Sequence, residues 1–249
     1  MTGVNTLFSE LLNHPDFAKV DFSRLKLTVG GGAAVHAAVA KRWKEITGVP
    51  ITEGYGLTEA SPVVCINPLD IEDYTGMIGV PIPSTDVTIR DDNGNDLPIG
   101  EIGEICVSGP QVMKGYWNAP DGTAKVIRAD GWLFTGDVGY MREDGFIKFV
   151  DRKKDVIVVS GFKVFPNEVE DAAVTHPGVL EAGAKGVADA RSDEAVKLLV
   201  VKRDPCLTEQ ELMAHLRRML AAYKVPKIIE FRDQLPKNAI GKVVRHELR

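Results

Sequence analysis

The sequence predicts an α/β piece and a β-rich piece, followed by a small α+β domain. A strand pattern, a triple glycine and a helical stripe follow one another within residues 25–48. Short apolar segments separated by turn residues then continue to about residue 151, as is typical of antiparallel strands. After the charged run 151–155 the pattern restarts, and enough chain remains for an independent domain. The expected bounds are about 1–70 and 71–151 for two pieces of one large domain and 152–249 for the small domain.

Composition and charge exclude several classes of protein. The chain has 249 residues and a formal net charge of −5, which argues against a general nucleic-acid binder because duplex binding rests on a basic surface. Cys65, Cys106 and Cys206 are far apart without CxxC spacing, which favours buried thiols in a reducing compartment. No cationic and apolar leader opens the chain, and no apolar stretch approaches the roughly 18 residues of a membrane span. We therefore expect a cytoplasmic protein.

The α/β piece is expected to present backbone groups at the carboxyl edge of a parallel sheet. Leu25–Val29 alternates as a strand, Gly30–Gly32 turns the chain, and the helical segment that follows is placed to end at Gly48. This order allows a ligand to approach the backbone closely. The triple glycine alone is equally typical of a tight turn. The apolar stripe of the helix consists of Val35, Val39, Trp43 and Ile46.

A second short strand, Pro50–Glu53, leads into the hexapeptide Gly54–Glu59 (GYGLTE). Tyr55 offers an aromatic face, Thr58 a small hydroxyl donor, and Glu59 a hard carboxylate. A tyrosine packed in a glycine turn and an exposed glutamate would explain the same letters. The hexapeptide alone does not decide between a ligand site and an ordinary turn, and its interpretation depends on the other motifs.

The β-rich piece is predicted to form a small β-barrel or an antiparallel sheet that closes near Asp151. Asp91–Asn95 has the composition of a hairpin turn, and Gly103–Val107 that of a strand. Two more strands are predicted at Trp132–Phe134 and Phe146–Val150, each next to an Asp-Gly turn dipeptide.

In the small domain the pattern predicts two helices packed on a sheet. The first helix begins at Pro166, and the second at Thr208, which forms a capping-box sequence with Glu211. The predicted inward residues are Val169, Ala172 and Ala173 in the first helix and Leu212, Leu216, Met219 and Leu220 in the second. Strands are predicted at 156–159, 181–187, 195–202 and 228–231.

Three polar motifs remain, and each has an ordinary explanation when taken alone. Thr135-Gly136-Asp137 is typical of a turn. Asp151–Asp155 (DRKKD) is typical of a solvated face, and five consecutive charges argue against a place in the core. Leu235–Arg245 (LPKNAIGKVVR) is typical of a solvated basic tail. Their joint occurrence with GYGLTE, in this order, is what points to one site.

These motifs resemble the signature segments of bacterial long-chain fatty acid–CoA ligases, which are fatty acyl-CoA synthetases of the adenylate-forming superfamily. The resemblance extends over the whole chain and includes Lys114–Asn118 (KGYWN), to which we assign packing alone. It implies that the C-terminal part of a large AMP-binding domain precedes a small mobile C-terminal domain, with Asp151 as the hinge. One family element, a Ser/Thr/Gly-rich phosphate loop, has no counterpart between Met1 and Tyr55. We therefore expect this chain to be the C-terminal half of such an enzyme and to be inactive alone.

The resemblance also implies roles for individual residues. Lys242, Thr58 and Glu59 are expected to be catalytic, with Lys242 bridging the α-phosphate and the substrate carboxylate and Glu59 binding Mg²⁺. The expected nucleotide-binding residues are Gly31, Gly32, Ala33, Tyr55, Gly56, Thr58, Asp137 and Arg152. Asp137 and Arg152 would bind the ribose, because a carboxylate accepts from two adjacent hydroxyls and an arginine donates beside it. Ser160, Gly161 and Phe162 are expected to line the channel through which CoA enters.

The implied reaction joins a long-chain fatty acid to CoA, with ATP and CoA as co-substrates and Mg²⁺ as cofactor. A homodimer and peripheral contact with the inner face of the membrane for substrate uptake are left open, and nucleic acid is not an expected partner. Two other functions stay open. One is an acyl-AMP ligase or an adenylation domain that loads a carrier protein, and the other is a non-catalytic nucleotide-binding module. The length of the signature match favours the ligase.

Overall fold

The computed structural model describes residues 1–238, 241 and 243–248. The chain forms two compact units, Met1–Phe149 and Val150–Arg249. The helices of the described residues are α1 (Asn5–Asn13), α2 (Ala37–Thr47), α3 (Pro120–Val126), α4 (Pro166–Val174) and α5 (Glu209–Met219). The strands are β1 (Thr2–Gly3), β2 (Thr28–Gly30), β3 (Ile51–Gly56), β4 (Val63–Ile66), β5 (Val80–Pro81), β6 (Asp86–Arg90), β7 (Gly103–Ser108), β8 (Leu133–Met141), β9 (Ile147–Arg152), β10 (Ile157–Val159), β11 (Phe162–Val164), β12 (Val179–Asp189), β13 (Asp193–Lys202) and β14 (Ile228–Arg232).

The first unit contains a mixed five-stranded sheet in the order β1-β2-β3-β4-β5. Strands β1, β2 and β3 are parallel, whereas β4 and β5 continue the sheet antiparallel. Helix α2 turns its apolar stripe inward, and Trp43 is fully buried with its ring centroid 4.9 Å from that of Phe8. Gly48 ends the helix with a φ of 74°, as its position predicted. The α/β architecture predicted for this part of the chain is therefore confirmed.

The second sheet of the first unit has four strands in the open order β6-β7-β8-β9. Strands β6, β7 and β8 pair antiparallel, and Ile89, Ile105 and Ile147 bring their side chains into one core with Val64 of β4. The predicted small β-barrel is therefore wrong, and the antiparallel sheet forms instead. The sheet does not close, because its edge strands β6 and β9 are not neighbours in the strand order of the described residues.

The second unit has a sheet in the order β11-β10-β13-β12, with β14 parallel to β13. Residues of β13 alternate between two cores, since Val196, Leu198 and Val200 pack with the helices α4 and α5. The intervening Leu199 and Val201 pack with the C-terminal segment of the chain. The sheet is thus covered on both faces.

Helix α5 begins as predicted and ends with one difference. Thr208 and Glu211 form the predicted capping box, and Leu212 and Leu216 are fully buried. Met219 was predicted to point inward but is 54% exposed. The inward stripe continues in steps of four from Leu212 and Leu216 to Leu220, which packs against the core, so that Met219 lies off the stripe.

The cysteines are partly as expected. Cys65 and Cys106 are buried, whereas Cys206 is exposed, and all three are free thiols. Cys206 lies in the loop before α5, where no periodic pattern requires burial. The longest helices, α2 and α5, have eleven residues. Within residues 1–238, 241 and 243–248, no helix combines the length and the apolar character that crossing a membrane requires.

Candidate functional site

The carboxyl ends of strands β2 and β3 lie side by side and carry the glycine motifs. Gly31 follows β2 directly, and a Cβ atom built on it would lie 3.1 Å from the carbonyl oxygen of Gly54. Gly56 closes β3, and a Cβ atom there would lie 2.0 Å from the carbonyl oxygen of Pro62. Gly32 is exposed and Ala33 half-buried. Neighbouring backbone therefore leaves little room for a side chain at Gly31 and none at Gly56.

Thr58 and Glu59 begin the short 3-10 helix Thr58–Ala60 directly after β3. Thr58 is exposed and Glu59 half-buried. The Tyr116 hydroxyl donates a hydrogen bond to Glu59 Oε1 at 2.7 Å, and the backbone N–H of Met113 donates to the carbonyl oxygen of Glu59 at 2.7 Å. The segment that contains Tyr116 therefore fixes the orientation of the Glu59 carboxylate.

The KGYWN segment was expected only to pack, but its two aromatic side chains are exposed. Trp117 is 91% exposed, while Tyr116 is bonded to Glu59 through its hydroxyl. The hydrogen bond to Glu59 raises the pKa of Tyr116, and burial raises it further to a smaller extent. Tyr116 is a functional candidate that the sequence did not reveal, because nothing in a Gly-Tyr-Trp triplet shows that it lies against a glutamate 57 positions earlier.

Tyr55 and Asp137, which are 82 positions apart in the sequence, meet in the first unit. The Tyr55 hydroxyl donates a hydrogen bond to Asp137 Oδ2 at 2.7 Å. Burial, together with the adjacent Asp137 carboxylate, raises the pKa of Tyr55, so that the hydroxyl stays protonated and remains a donor. A carboxylate has about four lone-pair positions, so this one hydrogen bond does not by itself prevent Asp137 from accepting from the hydroxyls of a ligand.

A bulge in strand β8 shapes the Thr-Gly-Asp triplet. Glu104 pairs with Val138 and Cys106 with Phe134, so that two steps along β7 correspond to four along β8. The buried Glu104 carboxylate accepts from the backbone N–H of Gly136 at 2.9 Å. Thr135 Oγ1 donates to the Ile105 carbonyl at 2.7 Å and accepts from the Asp137 N–H at 3.1 Å. These bonds fix the backbone from which Asp137 projects.

The residues of the first unit fit a magnesium ion that arrives with a nucleotide. Among the described residues, no group of three or more His, Cys, Asp or Glu side chains could hold a metal ion by itself. Mg²⁺ usually keeps several waters and binds one or two carboxylates together with substrate phosphates. The half-buried and oriented Glu59 carboxylate provides one such ligand.

In the second unit, Asp151 and Arg152 have opposite environments. The Asp151 side chain is fully buried, whereas Arg152 is exposed at the end of β9. Asp151 Oδ2 accepts from the backbone N–H of Asn167 at 2.7 Å, and Oδ1 accepts from Arg245 Nη1 at 2.8 Å. The inference that five consecutive charges exclude a core position is therefore wrong for Asp151, because a buried carboxylate is tolerated where a cation and N–H donors satisfy it.

The turn between β10 and β11 contains the residues expected to meet CoA. Ser160 and Gly161 have φ angles of 49° and 81°, a left-handed conformation that favours glycine. Among the described residues, no atom would lie within 4 Å of a Cβ atom on Gly161, so backbone conformation rather than crowding explains a glycine here. Phe162 is 57% exposed, and its ring centroid lies 4.9 Å from that of Tyr223.

Lys242 lies outside the described residues, but both of its flanks are described. Lys237 and Val243 form an isolated antiparallel bridge, and the N–H of Val244 donates to the Pro236 carbonyl at 2.9 Å. The structure thus pairs Tyr55 with Asp137 and Glu59 with Tyr116 within the first unit, and Arg152 is exposed in the second.

Comparisons with known proteins identify the family. The pattern of the AMP-binding enzyme family matches residues 1–117, and that of the AMP-binding enzyme C-terminal domain matches residues 168–242. All 249 residues align with a long-chain-fatty-acid–CoA ligase of Yersinia pestis at 57% identity and with one of Escherichia coli O6:H1 at 55%. The chain spans about 44% of the length of these curated relatives.

A solved structure agrees with the sequence comparison. ATP-bound MatB from Rhodopseudomonas palustris superposes on the whole of this chain with a TM-score of 0.92 at 34% sequence identity. The match covers 50% of the MatB chain. With both parts of the chain matched to AMP-binding enzyme patterns and with full-length alignment to its curated relatives, this protein belongs to the AMP-binding enzyme family of adenylate-forming enzymes.

Proposed function

We propose that this chain forms the C-terminal part of an ATP- and Mg²⁺-dependent long-chain fatty acid–CoA ligase. The observation that supports this most is the hydrogen bond between Tyr55 and Asp137, because it joins the residue that we propose stacks on adenine to the residue that we propose binds the ribose. Thr58 and Glu59 follow Tyr55 on the same strand end and supply a phosphate donor and a magnesium ligand. The identity of 55–57% with long-chain-fatty-acid–CoA ligases supports the choice of a long-chain acyl substrate.

The reaction has two steps. In the first, a carboxylate oxygen of the fatty acid attacks the α-phosphorus of ATP, the bond to the bridging oxygen breaks, and pyrophosphate leaves with acyl-AMP as the product. In the second, the CoA thiolate attacks the acyl carbonyl carbon, and AMP leaves with the bonding electrons. Both steps develop negative charge on oxygen, which preplaced donors and cations stabilise.

Residues of the first unit would hold the nucleotide. The Tyr55 ring stacks on adenine, Asp137 accepts from the ribose hydroxyls, and Thr58 donates to the α-phosphate. Mg²⁺ bound to Glu59 would neutralise phosphate charge and polarise the phosphoryl oxygens. The backbone at Gly31, Gly32 and Ala33 lines the acyl and adenine site.

Residues of the second unit would stabilise the negative charge of the reacting groups and guide CoA. Lys242 supplies the ammonium that bridges the α-phosphate and the fatty acid carboxylate in the first step. Arg152 donates to the ribose. The turn at Ser160, Gly161 and Phe162 accompanies the pantetheine arm in the second step. A pivot at Asp151 would bring Lys242 to the site for the first step and this turn for the second.

The test uses the complete enzyme that contains these residues, with ATP, palmitate and CoA. We expect palmitoyl-CoA, AMP and pyrophosphate in equal amounts. Acyl-AMP without acyl-CoA would favour an acyl-AMP ligase or a carrier-loading domain, and the absence of any product would favour a non-catalytic module. Vesicle flotation and sedimentation of the same enzyme test the proposed membrane contact and homodimer.

We further propose that residues 1–249 alone do not catalyse the first step. No segment before Tyr55 resembles the phosphate loop that would hold the β- and γ-phosphates, and positioning alone accounts for roughly 7 to 11 kcal/mol of such a barrier. Pyrophosphate release by the purified chain should therefore stay at background level. Steady turnover would show that the essential groups all lie within these 249 residues.

A further inference from the structure

The described residues of the C-terminal segment 235–248 contact the rest of the second unit through apolar side chains and through polar groups, among them Arg245. Leu235, Val243 and Leu248 pack with Leu199 and Val201 on one face of the sheet. On the polar side, Arg245 begins the short 3-10 helix Arg245–Glu247, and its side chain is only 18% exposed. The segment that contains Lys242 thus has a polar anchor three residues beyond that lysine.

Every nitrogen of the Arg245 guanidinium donates to an acceptor. Nε donates to Glu170 Oε1 at 3.1 Å, Nη1 to Asp151 Oδ1 at 2.8 Å, and Nη2 to Glu170 Oε2 at 2.8 Å. Nη1 also lies 3.4 Å from Asp155 Oδ2, and Nη2 also donates to Asn167 Oδ1. A planar fork with five N–H groups can satisfy this arrangement, whereas an ammonium cannot.

The acceptors of Arg245 are themselves fixed. Glu170 Oε1 accepts from the N–H of Ala184 at 2.8 Å, and Asp151 Oδ1 also accepts from the N–H of Arg152 at 2.8 Å. Burial raises the pKa of Glu170 and of Asp151, and Arg245 opposes both shifts. Burial alone would lower the pKa of Arg245, but Glu170, Asp151 and Asp155 outweigh it and raise the pKa.

One guanidinium therefore connects two stretches of sequence that the proposed function needs at once. Asp151 and Arg152 open the second unit, and Arg245 follows Lys242 by three residues. We propose that Arg245 is a positioning residue for the adenylation step, which fixes the Lys242 segment relative to Arg152 through Asp151 and Glu170. This inference rests on the proposed function and assigns a role to a residue whose guanidinium nitrogens all donate to acceptors within the second unit.

The test compares Arg245→Lys with the wild type in the complete enzyme, using two separate assays. Fatty acid-dependent pyrophosphate exchange measures adenylation, and palmitoyl-CoA formation from preformed palmitoyl-AMP measures thioester formation. We expect adenylation kcat to fall by about 10- to 100-fold, because a displacement of about 1 Å costs up to about 100-fold. Thioester formation should fall less than threefold, and the KM for ATP should change less than kcat.

A structural readout on the same variant separates positioning from unfolding. Hydrogen exchange at Gly241, Val243 and Val244 should become at least tenfold faster in Arg245→Lys, while exchange in β13 stays unchanged. Arg217→Met removes an exposed arginine of α5 in the same unit and serves as the matched control, with unchanged adenylation and unchanged exchange.

The inference fails if Arg245→Lys keeps adenylation within twofold of the wild type. It also fails if both half-reactions fall equally, or if exchange in β13 accelerates as much as exchange near Gly241, since either result would indicate a merely structural role. The wild-type enzyme decides the proposed function separately, because its two half-reactions are measured before any variant is compared.

Discussion

The polar residues of the two units differ in how far they are removed from water. In the first unit, Tyr55, Glu59 and Asp137 are half-buried and lie at the ends or bulges of strands. In the second unit, the Asp151 side chain is fully buried, and Arg245 donates from each of its nitrogens. Half-buried groups remain available to a ligand, whereas a buried and satisfied cluster orders the chain around it. Substitutions in the first group should therefore affect activity, and those in the second stability and positioning.

The largest expected effect is on stability, from Arg245→Met. Removing the guanidinium leaves Asp151 and Glu170 buried without their cation, and breaking a buried pair in this way costs about 3 to 5 kcal/mol. Urea unfolding followed by hydrogen exchange in β12 and β13 measures the second unit. All three tryptophans, Trp43, Trp117 and Trp132, lie in the first unit, and their fluorescence transition should not move.

Arg217→Met is again the control, and an exposed arginine of this kind should change stability by less than about 0.5 kcal/mol. A loss below about 1 kcal/mol in Arg245→Met would contradict the comparison, because it would mean that the cluster is not sealed from water.

The next effect is on activity, from Asp137→Asn in the complete enzyme. An amide can accept through only one oxygen, so contacts with both ribose hydroxyls and the Tyr55 hydroxyl are no longer met together. We expect adenylation kcat/KM to fall by about 100-fold, in the range of a lost charge-assisted contact. The tryptophan unfolding transition should move by less than about 1 kcal/mol.

Asp144→Asn is the matched control, because Asp144 lies on an exposed turn of the same sheet and pairs with Arg142. Equal losses of activity in the two variants would argue against a specific role for Asp137. A large loss of stability in Asp137→Asn would show that Asp137 has a mainly structural role, as the buried cluster of the second unit has.

Much of the fold could be predicted, because it depends on local signals. The helical stripe with Trp43, the terminating Gly48 and the capping box at Thr208 are each encoded by residues within a few positions of one another. Each forms as predicted. The barrel could not be excluded in the same way. Whether a sheet closes depends on the number and pairing of its strands, and hydrophobic alternation is the same in an open sheet and a closed one.

The candidate site residues also divide into those with a local sequence signal, which could be predicted, and those that depend on a distant partner, which could not. GYGLTE and TGD stand out as motifs, and the structure joins them through the Tyr55 hydroxyl and Asp137. Asp151, in contrast, was assigned to a charged surface run, because its satisfying partner Arg245 lies 94 positions later. Tyr116 was missed for the same reason. Long-range polar pairs leave no periodic signal, so a charged or aromatic residue looks ordinary until its partner is known. The hinge assigned to Asp151 and the role of Lys242 stay predictions.

The structure also changes how a hinge at Asp151 should be tested. Asp151→Pro would fix φ, but it would also remove the buried carboxylate that Arg245 and the N–H of Asn167 contact. A loss of activity in that variant would therefore mix restricted rotation with destabilisation. Arg245→Lys, which leaves the Asp151 backbone unchanged, separates the two causes.

A third effect concerns pH, and it tests whether a buried carboxyl in the first unit behaves like the cluster in the second. Glu53 is only 8% exposed, and its Oε2 has no hydrogen-bond partner among the described residues. Burial raises its pKa from 4.5 to about 7, against the opposing effect of Val35, Lys148 and Gly76. The folded state therefore holds a proton that the unfolded state loses, and stability falls as pH rises from about 4.5 to about 7.

Glu53→Gln removes this dependence. At pH 8 the variant should be more stable than the wild type by about 1 to 3 kcal/mol, whereas near pH 4.5 the two should agree. Urea unfolding followed by tryptophan fluorescence at both pH values measures the difference. A variant that is less stable at pH 8 would show that the Glu53 carboxylate is satisfied in the folded protein.

The smallest effect is expected from Tyr116→Phe, which tests whether Tyr116 acts through Glu59. The variant loses the hydrogen bond to Glu59 Oε1 and keeps the ring. Partners that orient a metal ligand change metal affinity by about 10- to 100-fold, and a single exposed bond should lie at the lower end. We therefore expect the Mg²⁺ concentration for half-maximal pyrophosphate exchange to rise about tenfold, with kcat restored at saturating Mg²⁺.

Palmitoyl-CoA formation from preformed palmitoyl-AMP, which involves no pyrophosphate, should stay unchanged. Tyr140→Phe, the same change in β8 of the same unit, is the control. If Tyr116→Phe lowers kcat at every Mg²⁺ concentration, Tyr116 acts on the substrate directly and not through Glu59.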